Sequence, residues 1–157
     1  MKKTLSTILL VILAAAMLVS CSGAGGGGKE SNVEGTLEEL LAKVNEGAES
    51  QIVTYNTEVT ADNAAYYLGT SDIAYKEALA CEPMINAIAH SVVLIRMESG
   101  ADIAAAKTKI KENVDPRKWI CAGVEPDQVM VDSIGDLIIL VMSVDAQNYI
   151  DAFKALA

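Results

Sequence analysis

Residues 88–97 read IAHSVVLIRM and residues 136–144 read DLIILVMSV. Each contains an unbroken apolar run, Val92 to Ile95 in the first and Leu137 to Met142 in the second. Side chains of a strand alternate between its two faces, so a strand with such a run is apolar on both. Strands of that kind belong at the centre of a sheet. Gln128 to Ile134 precedes the second run, and Gly135 between them marks a hairpin turn. Ile73 to Cys81 sets Ile73, Tyr75, Glu77 and Leu79 against Ala74, Lys76, Ala78 and Ala80. That alternation is strand-like, although Ala and Glu also suit a helix, and Pro83 ends the segment either way. Gln51 to Thr60 is a strand or an extended link.

Helices are expected around these strands. Thr36-Leu37-Glu38-Glu39 has the capping-box spacing, with Leu37, Leu40, Leu41 and Val44 following along one helical face. Gly47 is a candidate terminator. Thr60 to Leu68 reads as a short helix ending at Gly69 and packed down by Tyr66 and Tyr67. Ser99-Gly100-Ala101-Asp102 is a second capping box, opening a helix with Ile103, Ala106, Ile110 and Val114 inward and Lys107, Lys109 and Lys111 mostly outward. Asp145 is positioned to cap a last helix with Tyr149, Ile150, Phe153 and Leu156 inward. The pattern predicts one α+β domain over 36–157, its helices packed on one face of a mainly antiparallel sheet.

The N-terminus carries an address. Lys2 and Lys3 precede Ile8 to Val19, an uncharged apolar run of 12 residues. A membrane span needs about 20, so this is the length of a signal-peptide core. Leu18-Val19-Ser20-Cys21 then matches a bacterial lipoprotein box, with Cys21 as the thiol that takes the diacylglyceryl group. The expectation is a leader over 1–20 that is removed, and a lipidated Cys21 opening a tether over 21–35. Ser22 to Ser31 reads SGAGGGGKES, and Gly-rich chain of this kind behaves as flexible coil. A single acyl chain anchors only marginally, so lasting attachment takes two or more.

Charge narrows the partners. The 157 residues hold 21 acids against 12 Lys and Arg, a formal charge of −9. Removing residues 1–20 takes two lysines and no acid, so the charge falls to −11. No basic cluster suits nucleic acid, and no attraction to anionic lipid is on offer. At 52% hydrophobic the chain is also far from the composition of a disordered one.

Three stretches carry a resemblance: EALACEPMINAIAHSVVLIRM, GADIAAAKTKIKENVDPRKWIC and VDSIGDLIILVM. They resemble short lipoproteins of Gram-positive anaerobes that carry a C-terminal domain of unknown function. The likeness spans roughly Leu68 to Ala157. It rests on Glu82-Pro83-Met84 and on Asp115-Pro116-Arg117-Lys118-Trp119-Ile120-Cys121. It implies the α+β fold and membrane attachment, and it supplies no catalytic residue. The family more often places Ser where this chain has Cys81.

Reaction chemistry is sparse. His90 is the single histidine, on the Val92 and Leu94 side of its strand, and reads as packed rather than as a base or ligand. The HExxH, CxxC, GxSxG and P-loop patterns do not occur, so the sequence calls for no metal and no cofactor, and for no catalytic residue. Glu38, Glu39, Asp127, Asp132, Asp136 and Asp145 are hard-cation ligand types without EF-hand spacing, and they read mainly as caps, turns and a solvated face. Cys81 and Cys121, with 39 residues between them, read either as two small buried apolar groups or as a disulfide.

Arg117-Lys118-Trp119 follows a helix end at Asp115-Pro116 and holds the only Trp. Trp and Arg are the residues most enriched at binding hot spots, which makes this corner the candidate contact site. The other reading makes Trp119 a lid on the core and pairs the two cations with nearby carboxylates. The sequence thus suggests a lipoprotein held at the outer face of the cell membrane through Cys21, with a non-catalytic domain that binds an envelope protein, a peptide or a glycan. The alternative is a small extracytoplasmic enzyme using carboxylates on cell-wall polymers. A two-lobed solute receptor needs a longer chain.

Overall fold

The computed structural model describes residues 33–157. The leader, Cys21 and the tether up to residue 32 lie outside the described residues. Five strands form one sheet: β1 (Thr54–Glu58), β2 (Tyr75–Pro83), β3 (His90–Met97), β4 (Val129–Ile134) and β5 (Leu137–Ser143). Their order is β1-β2-β3-β5-β4, and every neighbouring pair is antiparallel. The helices are α1 (Leu37–Gly47), α2 (Ala64–Leu68), α3 (Ile103–Asn113) and α4 (Ala146–Lys154), with a 3-10 turn at Pro126–Gln128.

The α+β class and the antiparallel sheet are those the sequence predicts. The helices, however, cover both faces rather than one. Val93, Ile95, Ile138 and Leu140 point toward α2 and α3, whose Leu68, Ala106 and Ile110 complete that core. Val92, Leu94, Ile139 and Val141 point toward α1 and α4, whose Leu41, Val44, Ile150 and Phe153 complete the other. The reason is the central strands themselves. With apolar side chains on both faces of β3 and β5, a single layer of helices would leave half of them in water.

Local signals set most boundaries. Thr36 caps α1 in a reciprocal capping box: its hydroxyl accepts from the Glu39 amide at 3.2 Å, and the Glu39 carboxylate accepts from the Thr36 amide at 3.1 Å. Gly47 does not terminate α1. It is the last helical residue, and a Cβ there would lie 2.9 Å from the Ala152 Cβ, so its role is to let α1 approach α4. The left-handed residue is Glu49, at φ 53°. The cap of α3 is Asp102, whose carboxylate accepts from the Ala105 amide at 2.9 Å, and not Ser99. Ser99 and Gly100 form the turn before it, so the cap moves three residues on and is a single bond rather than the expected reciprocal box, because the N3 residue is Ala105.

The packed chain also begins earlier than Thr36. Val33 is buried, and the Arg96 guanidinium donates to the carbonyls of Val33 at 3.2 Å and Gly35 at 2.9 Å. Arg96 also pairs with Glu77 at 2.7 Å. A planar fork with five donors suits three acceptors at once.

Gly69 ends α2 at φ 72°, a conformation that favours glycine. A Cβ there would lie 2.2 Å from the Asn113 carbonyl carbon and 2.3 Å from the Val114 amide nitrogen. Gly69→Ala is therefore expected to destabilise the protein by more than about 2 kcal/mol, combining left-handed strain with a backbone clash. A urea midpoint within error of the parent would show that the α2–α3 contact yields.

Candidate functional site

The 117–119 corner turns inward. Trp119 is 6% exposed and joins the α2–α3 core, so it lids that core and offers no face outward. The Lys118 side chain is 4% exposed. Its ammonium bonds the Glu82 carboxylate at 2.6 Å, and Glu82 is itself 8% exposed. The rings of Tyr66, Tyr67 and Trp119 surround the same ammonium, with centroids 4.4, 5.1 and 5.3 Å from Nζ. A desolvated cation over aromatic faces gains quadrupole attraction in addition to its ion pair. Burial pushes the Lys118 ammonium down from its ordinary value, against the pull of Glu82. Burial and Glu82 together push the Tyr66 phenol up to about 12. Of the three corner residues, only Arg117 is exposed.

This cluster joins two segments far apart in the sequence. Glu82 comes from Glu82-Pro83-Met84 at the end of β2, and Lys118 and Trp119 come from the 115–121 segment. The sequence reading missed Glu82, Tyr66 and Tyr67 as their partners. The only available hint was that Glu82 is a lone acid in an otherwise apolar stretch.

His90 is fully buried at the start of β3. Its Nδ1 lies 3.1 Å from the Ser143 hydroxyl, and its ring sits 5.2 Å from that of Tyr149. Burial drives its pKa down to about 4, with a small opposing pull from Asp145. It is a core histidine held neutral: Ser143 meets its Nδ1, its buried Nε2 has no partner among the described residues, and no metal-ligand cluster among them includes it.

The cysteines are both free. Cys81 is buried among the α1–α4 core residues, 3.0 Å from the Thr54 hydroxyl. Cys121 is exposed, on the loop that follows Trp119 on the other side of the sheet. Cys81 is the small buried group the sequence allows, Cys121 is not, and no disulfide joins them.

The carboxylates named in the sequence are spread through the fold. Glu39 serves the α1 cap. Asp132 receives Lys107 at 3.1 Å and Lys154 at 3.0 Å, and Asp136 lies 4.0 Å from Arg96. Among the described residues, no group of three or more acids, His or Cys is arranged to hold a metal ion. An open groove of about 930 Å³ runs between the end of α1 and the outer side of α4. Lys43, Glu49, Gln51, Asn148 and Asp151 line it, with Tyr149 at its base.

One surface stands out for its apolarity. The exposed large apolar side chains are Val53, Tyr55, Tyr66, Met84, Ile85, Ile88, Ile120 and Val144. Six of them lie at one end of the sheet, where β1 begins, β2 passes to β3, and β5 ends. The Ile120 amide donates to the Asn86 carbonyl at 2.9 Å, which fixes the 119–121 loop against the β2–β3 turn. Comparison of the chain with protein-family models, with curated proteins and with solved structures returns no match.

Two predictions come from this geometry. Lys118→Met leaves the Glu82 carboxylate buried and unpaired, at an expected cost of about 3–5 kcal/mol. Adding Glu82→Leu should recover most of that loss in urea unfolding, and a double variant no more stable than the single one would refute a coupled pair. His90 binds a proton less readily folded than unfolded, so its contribution is complete above the unfolded pKa of 6.5 and is lost as pH falls toward about 4. The loss is on the order of 3 kcal/mol. His90→Gln should flatten the stability profile between pH 6.5 and 4, leaving the carboxylate contribution alone.

Proposed function

We propose that this chain is a membrane-anchored extracytoplasmic lipoprotein whose single α+β domain is a non-catalytic binding module. The Leu18-Val19-Ser20-Cys21 box behind its 12-residue apolar run supports the anchor. The resemblance to short Gram-positive lipoproteins supports the same attachment. The observation that carries the reading is the Leu18-Val19-Ser20-Cys21 box. The Arg96 clamp on Val33 and Gly35 marks where the packed chain begins, 12 residues after Cys21. No helix among the described residues is long and apolar enough to cross a membrane.

A binding role is favoured because the polar groups named above are committed to structure. Lys118 and Glu82 are buried and paired with each other, His90 meets Ser143 through Nδ1 while its buried Nε2 has no partner among the described residues, and Asp132 holds two lysines. What remains exposed and unusual is the apolar end of the sheet.

Cys21→Ala tests the anchor. The variant should either accumulate uncut or appear in the medium, and it should lose incorporation of labelled palmitate. A processed variant that still fractionates with membrane would overturn the reading.

A further inference from the structure

We infer that Lys118 and Glu82 become joined by a side-chain amide: after folding, the Lys118 amine condenses with the Glu82 carboxyl and one water is lost. The two groups are already in contact, with Nζ 2.6 Å from Oε1, and both side chains are less than one-tenth exposed. In water an amine and an acid do not condense, because water stabilises both as ions. This pair is shut away from water beneath the rings of Tyr66, Tyr67 and Trp119.

Three observations favour the reaction. The first is desolvation. Burial pushes the Lys118 ammonium down and outweighs the opposing pull of Glu82. Passing the proton from Nζ to the carboxylate relieves the buried charges and leaves the neutral amine and acid that condensation needs. The second is orientation. Glu82 lies on β2, inside the sheet, and the bond from the Ile120 amide to the Asn86 carbonyl holds the Lys118 segment against the end of that strand. A well-oriented intramolecular partner acts at an effective concentration of about 10⁵–10⁸ M. The third is Ser91. Cys81 pairs with Val92, so Glu82 and Ser91 are the next positions along β2 and β3, and alternation turns both toward the α2–α3 side. Ser91 is fully buried, and its hydroxyl has no hydrogen-bond partner among the described residues. A hydroxyl both donates and accepts, which suits it to carry a proton between nitrogen and oxygen. The Nζ lone pair adds to the Glu82 Cδ and forms the C–N bond. Ser91 takes a proton from the nitrogen and gives one to the departing oxygen, so it ends unchanged. The C–O bond breaks, water leaves, and nothing is oxidised or reduced.

Peptide mass spectrometry of the purified full-length protein tests the bond, whatever the state of Cys21. The folded protein is unfolded with denaturant and reductant and digested with trypsin. No Lys or Arg lies within 77–95 or 119–153, so the digest should contain residues 77–96 attached to residues 118–154. That joined species should weigh one water less than its two peptides together, and trypsin should not cut after Lys118. Lys118→Arg should abolish the joined species. Ser91→Ala removes a hydroxyl that the fold leaves unpaired, so the variant should fold, and joining should be slower by about 10²-fold or more. Separate 77–96 and 119–154 peptides from a parent protein that unfolds cooperatively would overturn the proposal. So would a species joined between the same peptides in Lys118→Arg, because the link would then lie elsewhere. Joining at the parent's rate in Ser91→Ala would overturn the proton transfer assigned to Ser91.

Discussion

Strands β3 and β5 lie side by side at the centre of the sheet, with Val92 through Ile95 facing Ile138 through Val141 in antiparallel register. All of these residues are shut off from water. Neither strand has a solvent face, so the sheet has to be covered twice, and the order of elements follows from that need. The chain supplies α1 before the first strand and α4 after the last, and these two pack together on one side. The helices that arise between strands, α2 and α3, cover the other. The β1 and β4 edges carry more exposed residues because they bear only part of this load.

Two cations are drawn into this frame, one toward each end, and they do different work. Arg96 spreads its fork over two main-chain carbonyls and Glu77, tying the start of the packed chain to the sheet. Its planar donors make that possible; a lysine would satisfy fewer of the acceptors. Lys118 is a point charge, and it is met by one carboxylate and three aromatic rings. Its pair with Glu82 holds the 115–121 segment against the end of β2. Truncating either member leaves an uncompensated buried charge, while replacing both with apolar groups need not destabilise.

Much of this fold is legible in the sequence where the signal is local. The Thr36 box, the hairpin at Gly135 and the two-sided apolar runs each depend on residues within a few positions of one another. The double cover was also implicit in those runs, because a strand apolar on both faces cannot sit on a one-sided layer. The Lys118 cluster was not legible, since Glu82 lies 36 residues from Lys118 and Tyr66 and Tyr67 come from a third segment. Trp119 illustrates the same point. Beside two cations in an acidic chain it reads as a contact residue, yet the turn after Pro116 carries it into the core and leaves Arg117 outside. Cys81 and Cys121 have similar surroundings in sequence, but alternation along β2 sends Cys81 into the α1–α4 layer.

The apolar end of the sheet is the feature that the fold does not itself require. A β2–β3 turn closes equally well with polar residues, and Met84, Ile85 and Ile88 stay exposed rather than completing either core. Loop tips in an acidic, soluble domain ordinarily carry charge, because charge keeps such surfaces from associating. Residues 51–57, 83–95 and 119–124, which meet at this end, hold no charged residue, and exposed Arg117 and Asp145 border it. The rigid backing by Ile120 and the Lys118–Glu82 pair argues that this end keeps its shape in the free protein. An apolar and preorganised end has the properties of a contact surface rather than of an unfinished core.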